Sequence, residues 1–188
     1  GTRGTTSYII FGKASGFDAN LNLSNLDGNN GFRMDGVEQA NFTPASVNTA
    51  GDVNGDGFDD LIIGAGAVRG ADGAFNVGAS YILFGKASNF DAVMNVSSIV
   101  SNNGFRLEGV AENDRAGTSV STAGDVNNDG FDDLIVGAPG SSSNDFLSGS
   151  SYVIFGRSDF GGSDVIAGTP GDDNLTGTSA AEIFEAGD

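Results

Sequence analysis

Two nine-residue segments, DVNGDGFDD from Asp52 to Asp60 and DVNNDGFDD from Asp125 to Asp133, place oxygen-bearing side chains at alternate positions. Calcium is a hard cation that takes six to eight oxygens at ~2.3–2.6 Å, and a short loop supplies them when alternate side chains and one peptide carbonyl turn inward. In the first segment those donors are Asp52, Asn54, Asp56, the Phe58 carbonyl and Asp60; in the second they are Asp125, Asn127, Asp129, the Phe131 carbonyl and Asp133. Gly57 and Gly130 stand where the chain must turn back around the ion, a place that favours a residue without a Cβ. Asp59 and Asp132 alternate out of this set and are expected in an outer shell or in solvent. Three carboxylates within ~5 Å of one another repel by about 1 kcal/mol per pair even in water, so each loop calls for a cation.

Other readings of the pattern are weaker. An EF-hand loop begins the same way, but it needs a bidentate Glu at its twelfth position, where these segments carry Ile63 and Val136. Asp, Asn and Gly also form plain turns. Recurrence of the same three inward acids at two matching places argues against a plain turn.

The rest of the composition narrows the chemistry further. Among 188 residues, 8 Lys and Arg face 25 Asp and Glu, a formal charge of -17, which argues against nucleic acid and anionic membrane surfaces, both of which need a basic face. There is no Cys and no His, so thiol nucleophiles, imidazole-based triads and Cys/His zinc sites are excluded. Apolar runs such as Tyr152 to Phe155 and Leu61 to Ile63 are far shorter than the ~18 residues of a membrane span, so no membrane insertion is expected. The acids outside the two loops, such as Glu108, Glu112 and Asp114, are scattered on expected surface turns, and no enzyme is read from them. The chain opens at Gly1-Thr2-Arg3-Gly4 without an initiator Met or a leader, and both ends read as cuts through a longer protein.

The elements that carry the loops repeat. Residues 31–66 and 104–139 align without a gap at an offset of 73, and SYIIFGKASGFDA at 7–19 returns as SYILFGKASNFDA at 80–92 and SYVIFGRSDF at 151–160. Short apolar runs bounded by Gly, Asn, Asp and Ser predict strands near 32–35, 46–50, 61–64, 80–84, 105–108, 119–123, 134–137 and 151–155. Four short strands per repeat, with 31 Gly in the chain, predict an all-β fold, a partial β-propeller of four-stranded antiparallel blades. A β-sandwich or β-solenoid is the alternative, and a sandwich gives no reason for the repetition. The expected division is residues 1–36 as the end of a preceding blade with a linker, 37–109 as one blade, 110–160 as a blade lacking its outer strand, and 161–188 as a separate segment. That outer strand is expected from the absent N-terminal part of the protein, so contact with missing propeller blades is implied.

The strings SVNTAGDVNGDGFDDLIIGAG and SVSTAGDVNNDGFDDLIVGAP, followed by SYILFGK, resemble FG-GAP repeats, the blades of the integrin α-type β-propeller. The resemblance covers residues 1–157 and implies that the aspartate loop joins the first and second strands of a blade and binds calcium. One departure is Phe42-Thr43-Pro44-Ala45, which replaces the glycine-bearing turn at Ala116-Gly117.

Beyond Gly161, GTPGDDNLT at 168–176 resembles the nonapeptide repeats of RTX-type bacterial exoproteins, and GTSAAEIFE after it keeps Gly177, Glu182 and Phe184. A short β-roll-like or disordered tail is therefore expected, with a flexible Gly, Asp and Thr linker as the alternative. The two resemblances together imply a secreted or cell-surface bacterial protein in which calcium stabilises blades for adhesion, with an extracellular protein or glycan as partner. A non-catalytic accessory part of a larger secreted hydrolase is the second reading. Exposed aromatics such as Phe75 and Phe146 would mark a binding face, although Phe residues in such a fold commonly fill the core.

Overall fold

Short runs rich in Val, Ile, Tyr and Phe favour extended backbone. In a computed structural model describing residues 6–36, 44, 46–142, 148–160 and 183–185, these runs become eleven strands among the described residues. They are β1 (Thr6–Ile10), β2 (Gly31–Asp35), β3 (Ser46–Gly51), β4 (Asp60–Ala65), β5 (Ala79–Leu83), β6 (Val93–Asn95), β7 (Gly104–Glu108), β8 (Ser119–Gly124), β9 (Asp133–Ala138), β10 (Ser150–Ile154) and β11 (Ile183–Glu185). Two 3-10 turns, Leu23–Asn25 and Val96–Ser98, keep the 73-residue spacing. Each starts at an Asn, Asn22 or Asn95, whose side-chain oxygen accepts a backbone N–H two residues on.

The strands form three sheets, ordered β1-β2-β6, β3-β4-β5-β7 and β8-β9-β10-β11. Pairing is antiparallel throughout except between β2 and β6, which run parallel. This is the all-β architecture of a partial β-propeller, with the sheets as blades. The β3 strand of the second sheet runs beside the β8 strand of the third, where Asn48 donates to the Ser121 hydroxyl at 3.3 Å.

The second sheet explains why its strands read as unbroken apolar runs. Successive side chains of a strand point to opposite faces, and both faces here meet another sheet. Ile62 and Ile82 enter a core with Leu134, Val136, Tyr152 and Ile154 of the third sheet. Their neighbours Ile63, Tyr81 and Leu83 enter a second core with Phe32 and Met34 of the first. Each junction is finished by three rings. Phe90, from the segment after β5, stacks on Phe32 at 4.8 Å and abuts Phe11; Phe160, from the segment after β10, stacks on Phe105 at 4.3 Å and abuts Phe84. Lys86 and Arg157 lie over the rings of Phe90 and Phe160.

Two features differ from the sequence expectation. The third sheet does not lack its outer strand: β11 pairs antiparallel with β10, Tyr152 opposite Glu185 and Ile154 opposite Ile183. An unpaired β10 edge would expose a row of backbone donors and acceptors, and the extended segment at 183–185 satisfies them. The strand is three residues long and follows a Gly- and Asp-rich stretch, so no periodicity announces it. The β6 strand was likewise hidden inside a polar linker. The nonapeptide segment from Gly161 lies outside the described residues except for β11, as do Phe146 and most of the departure at 42–45.

Candidate metal centre

Each aspartate loop connects the first strand of a complete sheet to the second, β3 to β4 and β8 to β9. The strand before each loop carries a register shift, between Thr49 and Gly51 and between Thr122 and Gly124. Such bulges increase the local bend and re-aim the residues that follow, here Asp52 and Asp125.

The two loops fold with one hydrogen-bond pattern. Asp52 accepts the N–H groups of Asp56 (3.0 Å) and Gly57 (2.8 Å), and Asn54 Oδ1 also accepts the Asp56 N–H (3.0 Å). Asp56 accepts the Phe58 N–H at 2.9 Å and the Asn54 amide at 3.0 Å. Asp125, Asn127 and Asp129 repeat each of these bonds, at 2.8–3.0 Å. Gly57 (φ 88) and Gly130 (φ 95) take the left-handed backbone that the turn demands, with nothing near the place of a Cβ, so conformation rather than space selects glycine.

The closing acids are of a different kind. Asp60 and Asp133 are 3% and 0% exposed. Asp60 accepts the Val53 N–H at 3.0 Å and the Gly85 N–H at 2.8 Å; Asp133 accepts those of Val126 at 2.8 Å and Gly156 at 2.9 Å. Burial raises the Asp60 pKa to about 6, against the two backbone donors that lower it, and the charges of Asp56 and Asp52 add to the rise.

The structure thus brings Asp52, Asn54, Asp56 and Asp60 into one loop, and Asp125, Asn127, Asp129 and Asp133 into the other. Among the described residues, however, no three acidic side chains converge closely enough to bracket an ion. Their oxygens are turned onto backbone N–H groups of the loop and, for Asp60 and Asp133, of Gly85 and Gly156, while Asn54, Asn127 and the Phe58 and Phe131 carbonyls are neutral donors. The donor set still fits a hard divalent cation: it is all oxygen, it includes one buried carboxylate per loop, and each carboxylate oxygen bonded to an N–H keeps a further lone pair. The ion pairs seen among the described residues, Arg33 with Asp35 and Arg106 with Glu108, leave the loop acids without a basic partner.

Asp132, expected in an outer shell or in solvent, is half-buried against the neighbouring loop. Its Oδ2 accepts the N–H of Asp52 in the neighbouring loop at 2.9 Å, while Asp59 is exposed. Asp114 is also misplaced by the sequence reading: it is buried and accepts the Ala111 N–H at 2.7 Å. Glu108 bonds the Ala71 N–H and Arg106. Phe75 is exposed, with the Arg69 guanidinium 3.6 Å above its ring. A cavity of about 530 Å³ opens between the first and second sheets beside Asp60, with Phe11, Phe58, Leu83 and Phe90 on its walls.

Two strands joined by an acidic loop, a third leading through the SYxxFG string, and a fourth beyond it make up the repeating unit. The FG-GAP repeat family profile matches residues 44–83 and 116–154. Two segments of the chain, together fewer than half of its residues, are similar to the FG-GAP repeat. The chain is 35% identical over 121 residues to integrin alpha-PS2 of Drosophila melanogaster, covering 63% of this chain and 8% of that protein. Integrin alpha-5 of Xenopus laevis is 33% identical over 111 residues, 57% of this chain and 10% of that protein. Phosphatidylinositol-glycan-specific phospholipase D of Mus musculus is 35% identical over 114 residues, 58% of this chain and 12% of that protein. The chain therefore spans about a tenth of the length of these relatives. No helix among the described residues is long and apolar enough to cross a membrane.

Proposed function

We propose that the chain is a calcium-binding part of a β-propeller in a secreted or cell-surface bacterial protein, where calcium stiffens the blades for adhesion or for binding a protein or glycan. The observation that carries this reading is the duplicated loop: the same donors and the same bonds occur twice, each with a buried acid at its end. Asp52, Asn54, Asp56, the Phe58 carbonyl and Asp60 would hold one ion, and Asp125, Asn127, Asp129, the Phe131 carbonyl and Asp133 a second. A bound cation supplies the positive charge that these acids lack. The chain's own part is to preset the donors: Val53 and Gly85 orient the two oxygens of Asp60, and Gly57 lets Asp52 gather the turn behind it.

Metal that binds only the folded chain stabilises it, by about 2.7 kcal/mol per site at a hundredfold excess over Kd. Extracellular calcium would then favour the folded blades, and the loops would stay open where calcium is scarce. The exposed Phe75 under Arg69 supports a recognition surface away from the loops. The bacterial and exported parts of the reading rest on the resemblance of the tail to RTX nonapeptides. Calcium titration followed by native mass measurement tests the proposal: two ions on the two loops are expected, with a third only if the tail contributes, and none would overturn it. The similarity to a phospholipase D favours a second reading, a non-catalytic accessory part of a larger secreted hydrolase. Hydrolase activity of the longer protein that survives deletion of these repeats would favour it.

A further inference from the structure

We propose that Asp132 couples the two loops, so that calcium held by one raises the affinity of the other; this rests on the calcium reading above. Asp132 lies between Phe131, whose carbonyl is a proposed donor of the second loop, and Asp133, its closing acid. It also grips the first loop at both ends of one residue. Its Oδ2 accepts the Asp52 N–H at 2.9 Å, and its own N–H donates to the Asp52 carbonyl at 3.1 Å. Asp52 in turn gathers the N–H groups of Asp56 and Gly57. A third tie joins the same places: Arg157 N–H donates to the Val53 carbonyl at 2.8 Å, next to Gly156, whose N–H holds Asp133. Backbone order in one loop is thereby imposed on the first donor of the other.

The two loops differ where the grip requires it. A Cβ on Gly51 would sit within 2.2 Å of Asp132 Oδ2, and one on Gly55 within 2.5 Å of the Phe131 ring. At the matching places of the second loop, Gly124 has nothing within 4 Å and Asn128 stands where Gly55 does, with the same left-handed backbone (φ 61 against 73). Glycine at 55 is thus set by the neighbouring loop, since its counterpart accepts a side chain.

Two sites joined by a shared ordered element bind with a coupling that is reciprocal, commonly 5- to 150-fold in affinity. Calcium chloride titration of the 188-residue chain tests this. Asp129→Ala, which disables the second loop, is expected to weaken calcium at the first about fivefold or more. In an Asp132→Ala background the same Asp129→Ala change is expected to alter the first loop by less than about twofold. Asp132→Asn keeps an acceptor oxygen and is expected to retain the coupling, a rescue that a general packing role would not single out. Two ions in the unsubstituted chain, with Asp129→Ala leaving the first loop unaffected, would overturn the coupling and leave the calcium reading standing; no ions would end both. Should Asp132→Ala fail to fold, an Asp56→Ala chain gives a second readout. There, calcium in the second loop alone should slow hydrogen exchange of the Asp52 amide, and unchanged exchange overturns the proposal.

Discussion

Ile62 and Ile63 are neighbours on β4, point to opposite faces, and are 0% and 1% exposed. Replacing either by Ala removes three carbons from a packed core. At about 0.8 kcal/mol per carbon the transfer loss is ~2.4 kcal/mol, and the remaining cavity brings the cost to about 2–5 kcal/mol. Ile62→Ala empties space against Leu134 and Val136, and Ile63→Ala empties space against Phe32 and Met34. In a chain of this size each kcal/mol lowers the melting midpoint by roughly 2–4 °C, so each variant should melt about 4–20 °C lower by circular dichroism at fixed calcium. A sheet with one solvent face makes the opposite prediction, because one of two adjacent residues would be exposed and its loss worth no more than about 0.5 kcal/mol. If either variant melted within about 2 °C of the unsubstituted chain, the stacking of three blades would be wrong.

Two further outcomes follow from the loops. Asp60, with its pKa raised to about 6 by burial, holds its proton more tightly in the metal-free fold than in the unfolded chain, so its own contribution to metal-free stability is full below the ordinary carboxylate value and is lost as pH rises through about 6. Calcium requires the carboxylate, so its affinity should fall as pH drops below about 6, measured by titration at several pH values; an affinity flat from pH 7 to pH 5 would contradict the burial of this acid. Gly55→Asn should cost about 1–3 kcal/mol in a denaturant titration by forcing the Phe131 ring aside, whereas Asn128→Gly should cost under about 1 kcal/mol. Equal costs would remove the contact between the loops as the cause.

Much of this was legible in the sequence because it is local. The strands at 32–35, 46–50, 61–64, 80–84, 105–108, 119–123, 134–137 and 151–155 each fall within a residue or two of an observed strand, since β-branched runs between Gly and Asn clusters fix both their type and their ends. The donors of each loop also share one turn because their spacing is local. What escaped depends on stacking. Asp132 sits in its own loop at a position that alternation assigns outward, and only the next blade makes that direction an inward one. Asp114 looks like a surface acid, but the fold buries it and turns its carboxylate onto the Ala111 N–H. The β11 strand has three residues and gains its identity from the β10 edge it covers.

The phenylalanine junctions have a direction. The segment after β5 hands Phe90 to the first sheet, and the segment after β10 hands Phe160 to the second, so the second sheet gives a ring one way and receives one from the other. Phe17, the counterpart after β1, is 53% exposed with Lys13 above it, an offered ring with no receiver among the described residues. Such a contact is heterologous: it cannot be satisfied by a twofold axis between identical surfaces, and it is used up only when a ring returns to its start. The angle between successive sheets, and not any stop signal in the repeat, therefore sets how many such units make a closed body, and an open series of them is a template for strand exchange or filament growth.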